Sequence, residues 1–339
     1  MRIVFLFLTL CFYSVKIYAQ SITGFVYDAA TKEPLVGASV YFDNTTIGTS
    51  TDFDGAFELE MQEGLGTGLV ASFVGYASSY KSNFDSGKPL YIYLKQDSNL
   101  LEEVVLTPDD DWSRELKLEQ FRKHYLGSSE RGVRCSILNE DDLILVYSKK
   151  RKRMYARAKA PLQIQNNALQ YLIQVELKAF GVGYSTVSRN KKNIVSDRVT
   201  YKGFNLFKSL DSVDSKFVWD ARRRAYLGSV LHFMRSLSAK NLPNQGYRIR
   251  VQGKFVEPEE AITVVEDPSS GGAKVKVKGN IEILFRAKRW SIMQTDVPEF
   301  QIDKQGNHSP VDKVRFGGDM GDQRMGDTLP LDFLVQKDL

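Results

Sequence analysis

The chain has 339 residues, a net charge of +5 and 2 cysteines. Cys11 lies in an N-terminal apolar stretch, so Cys135 is left alone in an exported form; an internal disulfide is excluded and the fold must rest on its hydrophobic cores. Beyond that stretch no apolar run approaches the ~20 residues a spanning helix needs, which argues against a helical membrane protein.

The predicted elements begin with a secretory signal over Met1–Ala19. Arg2 supplies the positive start, Ile3 to Val15 is almost wholly apolar, and Ile17-Tyr-Ala19 before Gln20 is a cleavage site of the small-residue type. Cys11 follows Thr9-Leu10 and lacks the small residues that precede a lipidated cysteine. Export starting at Gln20 is expected, to the periplasm, the outer membrane or the exterior. About 320 mature residues exceed one usual core, so at least two domains are expected.

Residues 20–95 carry short strands at turn-limited spacing. Ile22, Gly24 and Val26 alternate with Thr23, Phe25 and Tyr27; Ala38, Val40 and Phe42 give a second apolar face, Phe57 and Leu59 a third. Leu69, Ala71 and Phe73, then Leu90, Ile92 and Leu94, continue the pattern. Turn residues separate these runs at Lys32-Glu-Pro34, Asp43-Asn44, Asp52–Gly55, Gly75 and Ser86-Gly87. Period-two patterning with regular turns predicts a β-sandwich.

Five ordered motifs then carry a resemblance: Ile22-Thr-Gly-Phe-Val26, Pro34-Leu-Val-Gly-Ala-Ser-Val40, Gly48-Thr-Ser-Thr51, Asp52-Phe-Asp-Gly-Ala-Phe57 and Phe73-Val-Gly-Tyr76. Residues 21–95 resemble the carboxypeptidase regulatory-like domain, which implies a seven-stranded transthyretin-like sandwich. The family name concerns an accessory domain of carboxypeptidases and implies no peptidase. The same module commonly precedes TonB-dependent outer-membrane receptors, and Leu101-Glu-Glu-Val-Val-Leu-Thr-Pro108 resembles the segment that follows it there. Residues 112–339 are too few for a plug and a large barrel.

Residues 96–111 read as an acidic linker ending in Asp109-Asp-Asp111. A helix is expected from Trp112 to Leu126, then strands at Leu143–Tyr147 and Met154–Ala158 joined around Lys149-Lys-Arg-Lys-Arg153. Strands follow at Tyr171–Phe180 and Arg198–Phe207. One helix is expected over Lys216–Ala239, with Arg222, Arg223 and Arg224 on its solvent side. Further strands are expected at Tyr247–Phe255, Ala261–Val265, Lys274–Lys278, Asn280–Phe285 and Trp290–Thr295. Gly317–Gly326 reads as a surface loop, and Leu329–Val335 as a closing strand. The layout Trp219 to Leu237, with Arg324 to Leu331, resembles an uncharacterised region found behind this sandwich in some exported bacterial proteins; no activity transfers with it. The fold class is therefore mainly β with α: the sandwich, then a basic β-rich α+β domain over 112–339.

Catalytic signatures are weak. Asp52 and Asp54 before Gly55 lack the further oxygens of a calcium loop and read as a tight turn. His124, His232 and His308 stand in no zinc-peptidase spacing. His232 reads as a packing histidine and Cys135 as a buried small apolar residue. Gly317-Gly-Asp-Met-Gly-Asp322 has no following Lys-Ser/Thr and is no phosphate loop. No cofactor and no metal is expected.

Charge is the more informative signal. Residues 1–111 carry −9 and residues 112–339 carry +14. Such a split points to an anionic partner for the second part, and export makes envelope glycans or proteins better partners than nucleic acid. Arg248, Arg250 and Lys254 interleave with Ile249, Val251 and Phe255, and Lys274, Lys276 and Lys278 with Val275 and Val277. Each strand is expected to put its charges on one sheet face. Arg248, Arg250, Lys274, Lys276 and Lys278 are the candidate contact residues; protection of sheet edges is the plainer role for such rows. The expected function is a non-enzymatic envelope binding or scaffolding module. The alternatives are a hydrolase of envelope polymers using Asp220 or Asp322, and a structural accessory of a TonB-dependent system.

Overall fold

A computed structural model describes residues 21–61, 64–85, 87–97, 109–210, 216–267 and 271–335. The expected signal and the segment resembling the receptor-linker sequence, 101–108, lie outside the described residues.

The first unit has strands β1 (Ser21–Asp28), β2 (Ser39–Phe42), β3 (Gly48–Ser50), β4 (Ala56–Glu60), β5 (Leu69–Ser72), β6 (Tyr76–Ala77), β7 (Ser79–Lys81) and β8 (Leu90–Gln96). They form two four-stranded sheets, β4-β1-β8-β6 and β3-β2-β5-β7. β6 and β7 are one chain run that changes sheet at Ser78, so seven runs build the sandwich. Ile22, Val26, Val40, Leu69 and Ala71 are fully buried between the sheets, because alternate residues of each strand face the same way. Gly55 takes φ +73°, and a Cβ there would approach the Val26 carbonyl oxygen at 2.7 Å. The turn therefore requires glycine.

The second unit opens with α1 (Arg114–Phe121), which runs into a π-helical turn at Arg122–Leu126. Strands β9 (Cys135–Ile137), β10 (Leu143–Ser148), β11 (Arg153–Ala158), β12 (Leu162–Asn166), β13 (Tyr171–Val187) and β14 (Ile194–Ser209) follow. The sheet runs β10-β11-β13-β12-β9, with β14 paired along β13. β13 is 17 residues long: its start pairs with β12 and its later part with β11. Helix α1 and α2 (Lys216–Tyr226) close a core over this sheet with Phe121, Ile164, Ile173, Val175 and Phe207.

Helix α3 (Val230–Ser238) begins a third core. Strands β15 (Tyr247–Val251) and β16 (Lys254–Val256) lead to the short helix α4 (Pro258–Ala261). Then come β17 (Ile262–Asp267), β18 (Gly272–Val277), β19 (Ile281–Phe285), β20 (Arg289–Thr295), β21 (Phe300–Ile302), β22 (His308–Ser309), β23 (Val314–Gly317) and α5 (Gly318–Gly321). Two sheets, β16-β15-β19-β20-β23 and β17-β18-β21-β22, share this core with α3.

Five expectations need correction. The single strand over Tyr247–Phe255 is divided into β15 and β16 by the turn at Gln252-Gly253. The single helix over Lys216–Ala239 is two: Gly228 takes φ +77° and Ser229 caps α3 by accepting from the His232 N–H at 3.1 Å. The break has a packing cause, since α2 buries Ala221 and Ala225 in one core and α3 buries Phe233 and Met234 in the next. Arg222 is not on the solvent side. It is 7% exposed, stacks 3.8 Å from the Tyr171 ring centre and donates to the Leu169 and Gln170 carbonyls at 2.9 Å each. Gly317–Gly326 is not a loop throughout but the end of β23, α5 and the start of a 3-10 turn, anchored by the buried Asp327 that accepts from Ser129 Oγ and Arg131 Nε at 2.9 Å. Leu329–Val335 forms no strand. Arg235 holds the Leu331 and Phe333 carbonyls at 2.7 and 2.8 Å, taking the place of a ladder.

The sandwich docks through its second sheet. Tyr41 and Val70, whose neighbours Val40 and Ala71 face the sandwich core, are themselves fully buried. Tyr80 stacks on Phe204 at 5.2 Å, Asn205 N–H donates to Asp43 at 2.8 Å, and Ser72 hydrogen-bonds to the buried Glu176. The C-terminal run joins in, with Leu331 N–H donating to the Asn44 carbonyl at 2.7 Å and Thr46 N–H to Asp332 at 2.9 Å.

Candidate functional site

The five candidate cations lie on two sheets. Arg248 and Arg250 are on β15, Lys274 and Lys276 on β18, and Lys278 just beyond β18. Ile249 and Val275 between them point into the shared core at 1% and 0% exposure, so each row occupies the outward face of its own sheet. The two rows do not merge.

The lysines have close partners. Lys274 lies 3.8 Å from Asp267 and Lys276 3.5 Å from Glu299, while Lys278 Nζ donates to the Glu260 carbonyl at 2.9 Å. The arginines sit differently. Arg250 Nε donates to Glu282 at 2.9 Å, and its guanidinium lies 4.5 Å from the Trp290 ring centre. The Arg248 guanidinium lies 3.8 Å from the Phe255 ring centre, and among the described residues no carboxylate pairs with it. Phe255 and Trp290 stack at 6.2 Å and 30°. Phe255, Trp290 and Ile292 are each 40–44% exposed. The face is thus aromatic and apolar with two arginines laid over the rings, the combination that carries most binding energy in recognition surfaces. A groove of about 270 Å³ adjoins it, lined by Pro243, Arg248, Phe255 and Pro258 and also by the acidic Glu257 and Glu260.

Sequence patterning put Phe255 on the buried side, and the structure reverses this. The turn at Gln252-Gly253 pairs Val251 with Lys254 and Arg250 with Phe255, and directly opposed residues share a face. Two-residue turn chemistry at Gln252-Gly253 was the signal that could have found it. Trp290 reaches the same face because it pairs with Leu284, which pairs with Arg248.

The other basic cluster, Lys149–Arg153, forms the turn between β10 and β11. The acidic tract closes on it: Asp111 lies 3.5 Å from Lys149 and 3.6 Å from Lys191, Asp109 accepts from Lys150 N–H at 2.6 Å, and Asp110 pairs with Lys117 at 2.8 Å. These contacts fall on α1, the β10–β11 turn and the β13–β14 turn.

The remaining candidates have ordinary surroundings. Asp52 accepts from the Asp54 and Ala56 N–H groups at 3.0 and 2.8 Å within its turn. His232 Nδ1 accepts from Gly228 N–H at 3.0 Å and lies 2.8 Å from Tyr247 Oη, and burial holds its pKa down at about 4. Burial likewise holds His124 and His308 at about 4, and pushes the Cys135 thiol up to about 12. Asp220 lies on α2 and Asp322 follows α5. Among the described residues no cluster of three or more His, Cys, Asp or Glu side chains is placed to hold a metal ion, and no helix is long and apolar enough to cross a membrane.

Residues 22–106 match the family of the CarboxypepD_reg-like domain, and the sandwich is such a domain. The chain is 40% identical over 97 residues to the TonB-dependent receptor SusC of Bacteroides thetaiotaomicron, and 38% identical over 91 residues to the TonB-dependent receptor P26 of Formosa agariphila. These matches cover 28% and 27% of this chain but 9% of each receptor. The chain thus spans about a tenth of the length of the curated relatives it matches. A solved structure of a membrane-associated protein of unknown function from Bacteroides fragilis aligns over 88% of this chain and 92% of its own, at 11% identity and a TM-score of 0.18, too low to argue from.

Proposed function

We propose that the chain is an envelope-associated, non-enzymatic binding module that holds an anionic glycan on the outward face of the sheet β16-β15-β19-β20-β23. The observation that carries this reading is Arg248, stacked on an exposed Phe255 and without a carboxylate partner among the described residues. Trp290 and Arg250 extend the face. Aromatic rings stack on sugar rings while a guanidinium takes a carboxylate or sulfate. Lys274, Lys276 and Lys278 form a second, weaker contact row, since each already has a partner within the chain. The net charge of +14 over residues 112–339 favours an anionic partner at longer range. Envelope association is supported by the N-terminal region shared with two TonB-dependent receptors, and by the signal read at Met1–Ala19.

The same shared region favours a second reading, in which the sandwich docks the chain to a TonB-dependent outer-membrane system. The two are separated by capture from envelope extracts with the chain starting at Gln20. Recovery of acidic polysaccharide that Arg248→Ala lowers about tenfold supports the first reading. Recovery of a receptor, undiminished in Arg248→Ala, supports the second and counts against the first.

A further inference from the structure

The sandwich carries an aromatic array that the basic face does not explain. Phe25 and Tyr27 on β1 stand opposite Tyr91 and Tyr93 on β8. Phe25 and Tyr91 stack at 5.6 Å and 16°, Tyr27 and Tyr93 at 5.8 Å and 29°, and Phe25 and Tyr27 at 6.0 Å and 11°. The intervening Val26 and Ile92 fill the core, so all four rings point outward from the sheet β4-β1-β8-β6. Tyr91 is 55% exposed and Tyr93 48%. Contacts with the rest of the chain come from the other sheet, through Asp43, Ser72 and Tyr80 among others, and from the β4–β5 connection, where Gly66 N–H donates to Asp303 at 2.9 Å; among the described residues none is made by the outward rings. The array therefore faces away from the second unit.

We propose that this face is a stacking platform for the pyranose rings of an uncharged, extended polysaccharide. A row of near-parallel rings 5.6–6.0 Å apart, with Tyr91 and Tyr93 about half exposed, offers apolar surface to the C–H faces of consecutive sugars, and tyrosine adds a hydroxyl that can bond sugar hydroxyls. Charge selects the occupant. Residues 21–97 hold 4 Lys+Arg against 10 Asp+Glu, a net of −6, and Glu58 on the neighbouring β4 points outward beside the array. Lys32, with Nζ 4.6 Å from the Tyr93 ring centre, and Lys95 on β8 bring positive charge to the border. At the face itself Glu58 and Glu60 on β4 offset Lys32 and Lys95, so the rings have no excess charge to hold a polyanion and suit a neutral polyol. Cross-strand aromatic pairs also stabilise sheets, but that role does not call for two adjacent tyrosines left half-exposed on the same face.

The proposal is independent of the basic face, and the test keeps them apart. The chain starting at Gln20 is titrated with cellohexaose, with polygalacturonate as the charged control, and amide and ring signals are followed by NMR. Saturable cellohexaose binding is expected, with shifts at Phe25, Tyr27, Tyr91 and Tyr93. It should not respond to salt, unlike an ionic contact. Tyr91→Ala with Tyr93→Ala should weaken it about tenfold or more, Tyr91→Phe with Tyr93→Phe should retain most of it, and polygalacturonate binding should survive in both. Absence of cellohexaose binding, or equal binding by the double alanine variant, overturns the proposal. Concentration-dependent self-association that the alanine pair abolishes, without sugar binding, overturns it in favour of a contact between copies.

Discussion

Replacing Asp43 with asparagine should stabilise the chain at neutral pH and flatten part of its pH response. Asp43 sits where the sandwich meets β14, accepting from Asn205 N–H at 2.8 Å and Asn44 Nδ2 at 3.0 Å. Burial raises its pKa from 3.8 to about 6, and the N–H donors offset only part of that. Below pH 3.8 folded and unfolded chains both carry the proton. Between 3.8 and about 6 the folded chain keeps a proton that the unfolded chain has lost, so stability falls as pH rises. Above that window the full cost is present. A rise of roughly two units at about 1.4 kcal/mol each sets a ceiling of about 3 kcal/mol. Asparagine keeps an acceptor for Asn205 N–H but turns its NH2 toward Asn44 Nδ2, so Asp43→Asn should recover less than the full ~3 kcal/mol near pH 7 and nothing near pH 4. Three histidines act with the opposite sign: with folded pKa values of about 4 against 6.5, each removes stability as pH falls through that interval. Only the difference between native and variant chains isolates Asp43. Calorimetric melts of both across this range give it. A difference that stays flat with pH, or a variant less stable at neutral pH, refutes the reasoning.

Other substitutions test the fold. Phe57→Ala empties a site 5% exposed in the sandwich core and should cost about 3–5 kcal/mol, read as faster hydrogen exchange of β1 and β4 amides; unchanged exchange contradicts the core assignment. Gly228→Ala forces φ +77° on a residue whose Cβ would strike the Arg289 guanidinium, and should cost at least about 1–2 kcal/mol in a denaturant melt. Arg222→Met should cost about 2–3 kcal/mol by the same measurement, because two buried carbonyls lose a charged donor. Equal stability would mean that the stack on Tyr171 and those bonds contribute nothing net.

The sandwich was legible because its signals are local. Alternation at Ile22, Val26, Ile92 and Leu94 fixes the buried faces, and Gly55 fixes a turn by backbone geometry alone. The second unit was legible strand by strand but not in its assembly. The apolar stripe from Trp219 to Leu237 is continuous, and only Gly228-Ser229 marks where the helix divides between two cores. Arg222 looks like a solvent residue in any periodic reading; its burial depends on the carbonyls at Leu169 and Gln170, more than fifty positions away. Alternation identified Arg248 and Arg250 as outward-facing but could not say that Phe255 and Trp290 join them. That depends on hairpin register and on a strand forty residues later. The same alternation made the lysine row look equivalent, because ion pairing with Asp267 and Glu299 is a property of neighbouring strands and loops.

The basic face is tested most directly by the salt dependence of polygalacturonate binding in three chains: native, Arg248→Ala, and Lys274→Ala with Lys276→Ala. Native binding should weaken steeply as salt rises, since exposed charges are screened beyond about 8 Å at physiological ionic strength. Arg248→Ala should weaken low-salt binding about tenfold, as expected for loss of one charged anchor, and the lysine pair should change it much less. Binding that is absent at low salt, or as strong in Arg248→Ala as in the native chain, would contradict the account.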